Sequence, residues 1–207
     1  MVKDLVSIIT PCFNTGHLIH HLLDSVLRQT YPLIELFVID DGSTDNTIDI
    51  VKGYIGKFLD KNYSLTYIRQ DNQGQSNATN RGLKLINGEY LVWPDSDDYY
   101  SDESAITKMV ESLRTTGPEY STVRILTTYV DDNYKIISKH PIDENYRKDE
   151  LFEDCLFGKN NFLWGAGNYM AKVSSLQEVI PNLEICTNRL AGQNWQLLLP
   201  LLYKHNC

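Results

Sequence analysis

Tyr90-Leu91-Val92-Trp93-Pro94-Asp95-Ser96-Asp97-Asp98 joins a short apolar run directly to a run of acids. Four apolar residues without a helical period mark a buried β-strand that ends where the carboxylates begin. In an open α/β sheet ligands bind beyond the carboxyl ends of the strands, where the loops diverge and leave a crevice. Carboxylates packed this closely repel one another, and hard divalent ions such as Mg2+ or Mn2+ are their natural partners. Magnesium in particular is held by one or two carboxylates together with substrate phosphates. Taken alone, a D-x-D triplet reads more often as a solvated acidic turn or a helix N-terminus, so its meaning depends on what surrounds it.

Working outward, Val6-Ser7-Ile8-Ile9-Thr10 is a β-branched run closed by Pro11, and Leu18, Ile19, Leu22, Leu23, Val26 and Leu27 follow at helical spacing until Tyr31-Pro32. Ile34 to Ile39 is a second apolar run ending in Asp40-Asp41-Gly42-Ser43. Asp45 is placed to cap a helix carrying Ile48, Val51, Ile55 and Leu59. Leu65 to Ile68 predicts a third strand, Ala78 to Ile86 a third helix ended by Asn87-Gly88, and Tyr90 to Trp93 the fourth strand. Strands alternating with helices imply parallel pairing through right-handed crossovers. The fold class expected is therefore α/β and Rossmann-like, a mostly parallel central sheet with helices on both faces, an α/β/α sandwich.

Beyond the acids, Ala105, Met109 and Leu113 predict another helix. Val123 to Val130 and Tyr134 to Ser138, separated by Asp131-Asp132-Asn133, read as a hairpin. A polar stretch from His140 to Glu150 and the segment Phe162 to Gly167 carry weaker patterns. Near the end, Trp195, Leu198, Leu199 and Leu202 lie at helical spacing and read as a packing face.

The 207 residues suit one domain, with residues 1–100 as its Rossmann-like half and 101–207 as the other half of the same unit. A formal net charge of -8 with scattered basic residues argues against nucleic acid as a partner. Cys12, Cys155, Cys186 and Cys207 are far apart, without a C-x-x-C pair, and read as reduced thiols of a cytoplasmic protein. No leader pattern is present, and no apolar run reaches the roughly 18 residues that span a bilayer. The chain stops just after an apolar helix-like stretch, as a piece of a longer protein would. Peripheral association with the inner face of the membrane, through a missing C-terminal region, is left open.

Four strand ends carry ligand-competent residues: Thr10-Pro11-Cys12-Phe13-Asn14, Asp40-Asp41, Gln70-Asp71-Asn72-Gln73-Gly74, and Asp95-Ser96-Asp97-Asp98. In a parallel sheet these ends share one edge and one crevice. Phe13 can stack on a base, Asp41 can accept hydrogen bonds from base or ribose, and the last cluster can hold metal and diphosphate. That combination describes a nucleotide-diphosphate site. Neither G-x-G-x-x-G after the first strand nor G-x-x-x-x-G-K-[ST] occurs, so phosphate charge must be met mainly by metal.

The order and spacing of SIITPCFN, LRQTYP, ELFVIDDGSTDNT, DNQGQSNATNRG and GEYLVWPDSDD, from Val6 to about Leu113, resemble a family 2 glycosyltransferase of the glycosyltransferase-A fold. The resemblance implies transfer of a sugar, with inversion, from a nucleotide-diphosphate donor (a UDP-sugar) to a saccharide or lipid-linked acceptor in surface polysaccharide assembly. It implies donor contacts at Pro11, Phe13, Asn14, Asp41, Asn72, Gly74, Asp95 and Ser96. It also implies Mn2+ or Mg2+ at Asp97 with Asp95 beside it, and Asp98 in support. The metal would act as a Lewis acid on the departing diphosphate.

Two positions depart from the family pattern. Where relatives read A-R-N, this chain has Ala78-Thr79-Asn80-Arg81, and one residue turns a helical side chain by about 100°, so Arg81 is expected to point elsewhere. Where relatives place an E-D pair bearing the catalytic base, this chain has Gln193-Asn194, and a neutral amide cannot take a proton as a carboxylate does. Asn194 therefore marks the base position without its chemistry. The alternative is a nucleotide-sugar-binding protein without turnover. A receiver-type acidic pocket at Asp40-Asp41 fits less well, because the D-x-D cluster and the hairpin are foreign to it. His205 is a less favoured candidate for a late metal ligand, and Trp164 reads as a packing aromatic before an aromatic at a sugar-binding mouth.

Overall fold

The computed structural model describes residues 1–131, 133–140, 149–163, 165–188 and 191–207. Asp132, Trp164 and most of the polar stretch, residues 141–148, lie outside them. Strands β1 (Val2–Cys12), β2 (Ile34–Asp40), β3 (Ser64–Arg69) and β4 (Gly88–Val92) alternate with helices α1 (Ile19–Leu27), α2 (Thr47–Asp60) and α3 (Gln75–Leu83). These four strands are parallel, in the order β3-β2-β1-β4, and form one side of a six-stranded sheet. Pro11 lies inside β1, past Ile8, where pairing with β4 ends, so its missing N–H breaks no ladder on that side.

After α4 (Ala105–Thr115), β5 (Thr122–Arg124) joins the far side of the sheet through β8 (Tyr169–Lys172), which runs antiparallel to both β4 and β5. The hairpin expected between Val123–Val130 and Tyr134–Ser138 is corrected here. Its first arm is divided: β5 enters the main sheet, and only β6 (Thr128–Val130) pairs with β7 (Ile136–Lys139). Two short helices, α5 (Phe152–Phe157) and α6 (Val173–Val179), and the closing α7 (Gln193–Lys204) complete the described chain.

The period of two in the strands sorts side chains into two cores, one per face. Val6 and Ile8 of β1, Leu36 and Val38 of β2, Tyr90 and Val92 of β4, and Met170 of β8 pack with α1, α2 and α4. Ile9, Phe37, Ile39, Leu91, Trp93, Tyr169 and Ala171 face the other way, onto α3, α5, α6 and α7. This is the α/β/α sandwich expected. On the second face Gly82 of α3 lies so close to Ile9 that a Cβ there would overlap its side chain. That close approach seats α3 against the sheet and its N-terminus at the carboxyl edge. No helix among the described residues is long and apolar enough to cross a membrane.

Candidate active site

The carboxyl ends of β1, β2 and β4 surround a cleft of about 340 Å³ lined by Pro11, Cys12, Phe13, Thr15, Asp41, Gln75, Asp95, Ser96 and Asp97. Its walls are loops, and hydrogen bonds between loops hold them. Asn14 sits in the left-handed region at φ 54°, which a short polar side chain tolerates. Its amide N–H donates to Ser43 Oγ at 2.9 Å, and its Oδ1 accepts from Thr44 N–H at 2.8 Å. Thr15 N–H donates to Thr47 Oγ1 at 3.1 Å and Gly16 N–H to Asp45 Oδ2 at 3.0 Å. Asp45 also accepts from Thr47 N–H at 3.0 Å, but it lies one residue before the N-cap of α2, which is Asn46 rather than the Asp45 expected. With the loop pinned on both sides, Phe13 is presented to the cleft 47% exposed.

Asp41, 4% exposed, accepts from Gln73 N–H at 2.9 Å, Gly74 N–H at 2.7 Å and Gln70 Nε2 at 2.8 Å. A carboxylate has about four lone-pair sites, so these bonds leave one for a ligand. Gly42 and Gly74 hold φ of 90° and 92°, and a Cβ on Gly42 would meet Asn72 N at 3.1 Å. Asp41 and Gly42 thus lock the β3–α3 connection against the end of β2.

The acidic loop rests on Gly167, whose φ of 73° lets it approach Pro94 so closely that a Cβ would lie 3.0 Å from the ring. Burial first, then the Asp97 charge, pushes Asp95 up to about 6, while a bond from Gln75 Nε2 to its Oδ1 at 2.7 Å pulls it down. Asp98 keeps an exposed side, yet burial followed by the Asp95 and Asp97 charges pushes it up to about 7. Carboxylates held together against their own repulsion suit a divalent cation. Among the described residues no group of three or more His, Cys, Asp or Glu side chains is placed to hold a metal ion by itself.

Gln75 and Asp95 also belong to a second cleft, of about 480 Å³, closed by Gly192, Gln193, Asn194 and Trp195 at the start of α7. Trp93 Nε1 donates to Asn194 Oδ1 at 3.0 Å, and Thr79 Oγ1 donates to Gln193 Oε1. Trp195, read from spacing as part of the packing face, is corrected by the structure. It is 42% exposed, its Nε1 donates to Cys155 O at 3.1 Å, and the buried face of α7 is Leu197, Leu198, Leu201 and Leu202.

Of the residues expected at the site, the first cleft brings together Pro11, Phe13, Asp41, Asp95, Ser96 and Asp97, and Asn194 lines the second. Gly74 contributes through its bond to Asp41. Asn14 and Asn72 stand behind the walls rather than on them, Asn14 spent on the loop seam and Asn72 packed by its backbone on Gly42. Arg81 Nη1 donates to Arg69 O at 3.2 Å and enters neither cleft wall, as its displacement implied. His205 Nε2 lies 3.1 Å from Glu178 Oε2, on α6. Gln75, Thr79 and Trp93 were not singled out from the sequence. Only the place of Gln75, directly after a glycine at a sheet-edge helix start, signalled a site role.

The glycosyl transferase family 2 model matches residues 7–180, and the chain belongs to that family. It is 37% identical over 114 residues to the glycosyltransferase GlyA of Streptococcus pneumoniae, covering 54% of this chain and 16% of that protein. It is also 37% identical over 111 residues to the putative teichuronic acid biosynthesis glycosyltransferase TuaG of Bacillus subtilis, covering 54% of this chain and 42% of TuaG. The chain thus spans less than half the length of either relative. The fold is shared with residues 1–349 of S. aureus TarS, with a TM-score of 0.72 at 21% identity, covering 97% of this chain and 56% of that one. The mannosyltransferase PcManGT from Pyrobaculum calidifontis, solved with GDP-Man and Mn2+, gives a TM-score of 0.70 at 18% identity, covering 100% of this chain and 54% of that one. The sheet, its order and the family are those of a glycosyltransferase-A fold.

Proposed function

We propose that the chain is the catalytic unit of a glycosyltransferase that moves a sugar from a UDP-sugar to a saccharide or lipid-linked acceptor, with inversion, in cell-surface polysaccharide assembly. The observation that carries this is the meeting of two clefts at Asp95, one lined by Phe13, Asp41 and Asp97 and the other by the start of α7. An inverting displacement needs the nucleophile to approach from the side away from the leaving group, and adjoining clefts provide that approach. Residues 1–100 supply the donor side, and residues 101–207 supply the acceptor side through α7.

In this reading Phe13 stacks on the base beside Pro11, Asp41 accepts from the nucleoside through its remaining lone pair, and Ser96 and Asp95 flank the ribose and diphosphate. Asp97, with Asp95 beside it and Asp98 in support, would hold Mn2+ or Mg2+, which supplies Lewis-acid stabilisation of the leaving diphosphate. Support comes from a relative named for teichuronic acid biosynthesis and from structures named with UDP, or with GDP-Man and Mn2+. The proposed place of action is the cytoplasm, at the inner face of the membrane.

A second reading, nucleotide-sugar binding without turnover, is favoured by one observation: the side chain at the usual base position is an amide whose oxygen is already bonded to Trp93. Release of nucleoside diphosphate from a panel of UDP- and GDP-sugars, with Mn2+ and mixed saccharide acceptors, separates the two. Acceptor-dependent release supports transfer. Nucleotide binding without release across the panel supports the second reading.

A further inference from the structure

Two side chains at the start of α7 are held by buried partners, and the indole partner fixes how the Asn194 amide faces. Trp93, 1% exposed, donates through Nε1 to Asn194, and Thr79, also 1% exposed, donates to Gln193 from 114 residues away. An indole nitrogen can only donate, so the atom it meets is the amide oxygen, and Asn194 Nδ2 is left as the free end. Gln193 is bound through Oε1 in the same sense, leaving Nε2. Among the described residues neither nitrogen has a protein partner, and both side chains line the second cleft.

Across that cleft stands the Asp95 carboxylate, an acceptor when ionised, and at its rim the exposed Trp195 offers a flat apolar ring. An anion would meet Asp95 at close quarters, and a purely apolar ligand would leave both amides unpaired at a cost in desolvation. A ligand with adjacent hydroxyls, able to accept on one side and donate on the other, and with an apolar face for the indole, satisfies all of these groups. A pyranose has that chemistry.

We propose that Asn194 is a specificity-determining residue that donates through Nδ2 to a pyranose hydroxyl oxygen in the second cleft, with Gln193 donating beside it. Trp93 is the positioning residue that keeps the Asn194 amide in the donating orientation, and Thr79 tethers Gln193 beside it. The inference rests on the glycosyltransferase reading only in taking that pyranose to be the acceptor. A hydroxyl held in this way turns its own hydrogen away from Asn194, so the residue at the usual base position serves to orient and not to deprotonate.

The test is binding to a printed array of pyranose mono- and oligosaccharides, with and without UDP and Mn2+, alongside thermal unfolding of each variant with UDP and Mn2+. Asn194→Asp keeps an oxygen for Trp93 but loses the donor. It should lower retention of the bound saccharides about tenfold, and the UDP-dependent thermal shift should stay as in wild type. Trp93→Phe, which frees the amide to turn, should weaken retention about threefold. Combined with Asn194→Ala it should add nothing to the loss from Asn194→Ala alone, an outcome that a merely structural role for Trp93 would not give. Wild type that retains no pyranoside, or Asn194→Asp that retains them as well as wild type, overturns the proposal. A missing UDP shift with the array pattern intact would instead remove the donor reading and leave the saccharide assignment standing.

Discussion

Gln75 Nε2 donates to Asp95 Oδ1 at 2.7 Å, and the two side chains form the wall common to both clefts. Burial and the Asp97 charge push Asp95 up to about 6, and this bond acts in the opposite direction. Replacing Gln75 by Leu removes the opposing influence, so Asp95 should titrate higher. The midpoint of the pH dependence of UDP and Mn2+ binding, followed by thermal shift, should move upward by up to about one unit. An unchanged midpoint would show that the bond does not govern Asp95.

The acidic loop also makes a statement about stability. Asp95 and Asp98 have folded pKa values of about 6 and about 7, above the roughly 3.9 of an unfolded aspartate. Such groups contribute stability that is fully present below the unfolded value and is lost as pH rises through the folded values. The ligand-free protein should therefore lose melting temperature between about pH 4 and pH 7 from this source, and Asp95→Asn/Asp98→Asn should flatten that part of the profile. Stabilisation by UDP and Mn2+ should grow across the same window, because ionised carboxylates are the better ligands.

Asp41 accepts three hydrogen bonds from the β3–α3 connection. In Asp41→Asn at least one of those donors faces an NH2 group, and a buried donor left without a partner costs about 1–3 kcal/mol. Melting should fall by about 2–4 °C per kcal/mol for a chain of this size, and nucleotide binding should weaken as well. A variant that melts like wild type would place the order of this loop elsewhere.

Gly82 faces Ile9 with no space for a methyl group. Alanine improves helix propensity by about 1 kcal/mol, but overpacking costs about 1–3 kcal/mol, so Gly82→Ala should destabilise slightly or clearly and never stabilise. Gly53, on the exposed side of α2 with no neighbour within 4 Å, is the control, and Gly53→Ala should raise the melting temperature.

The parallel half of the sheet was legible because β1, β2 and β4 each carry a short apolar or β-branched run, separated by helices with a clear period. β8 was not. Its four residues carry no pattern of their own and are strand-like only through pairing with β4 on one side and β5 on the other. The run from Val123 to Val130 misled for a related reason: its β-branched composition fits a single strand, and nothing local reports that β5 is claimed by the main sheet. At the site, the residues at strand ends were readable from sheet chemistry. The Thr79–Gln193 and Trp93–Asn194 bonds were not, since they join residues more than a hundred positions apart. Asn14 and Asn72 share the sequence neighbourhood of the cleft residues without lining the cleft: Asn14 bonds Thr44, and Asn72 lies against Gly42.

In the proposed function Asp97 brings a divalent cation to a nucleoside diphosphate held between Phe13, Asp41 and Asp95. Thermal unfolding with UDP, with and without Mn2+, on wild type and Asp97→Ala tests it most directly. Ligand at a hundred times its dissociation constant stabilises a protein by about 2.7 kcal/mol, or very roughly 5–10 °C at this chain length. Wild type should show a shift of that order which depends on Mn2+, and Asp97→Ala should lose the Mn2+-dependent part while melting normally without ligand. A metal-dependent shift of undiminished size in Asp97→Ala would contradict the account.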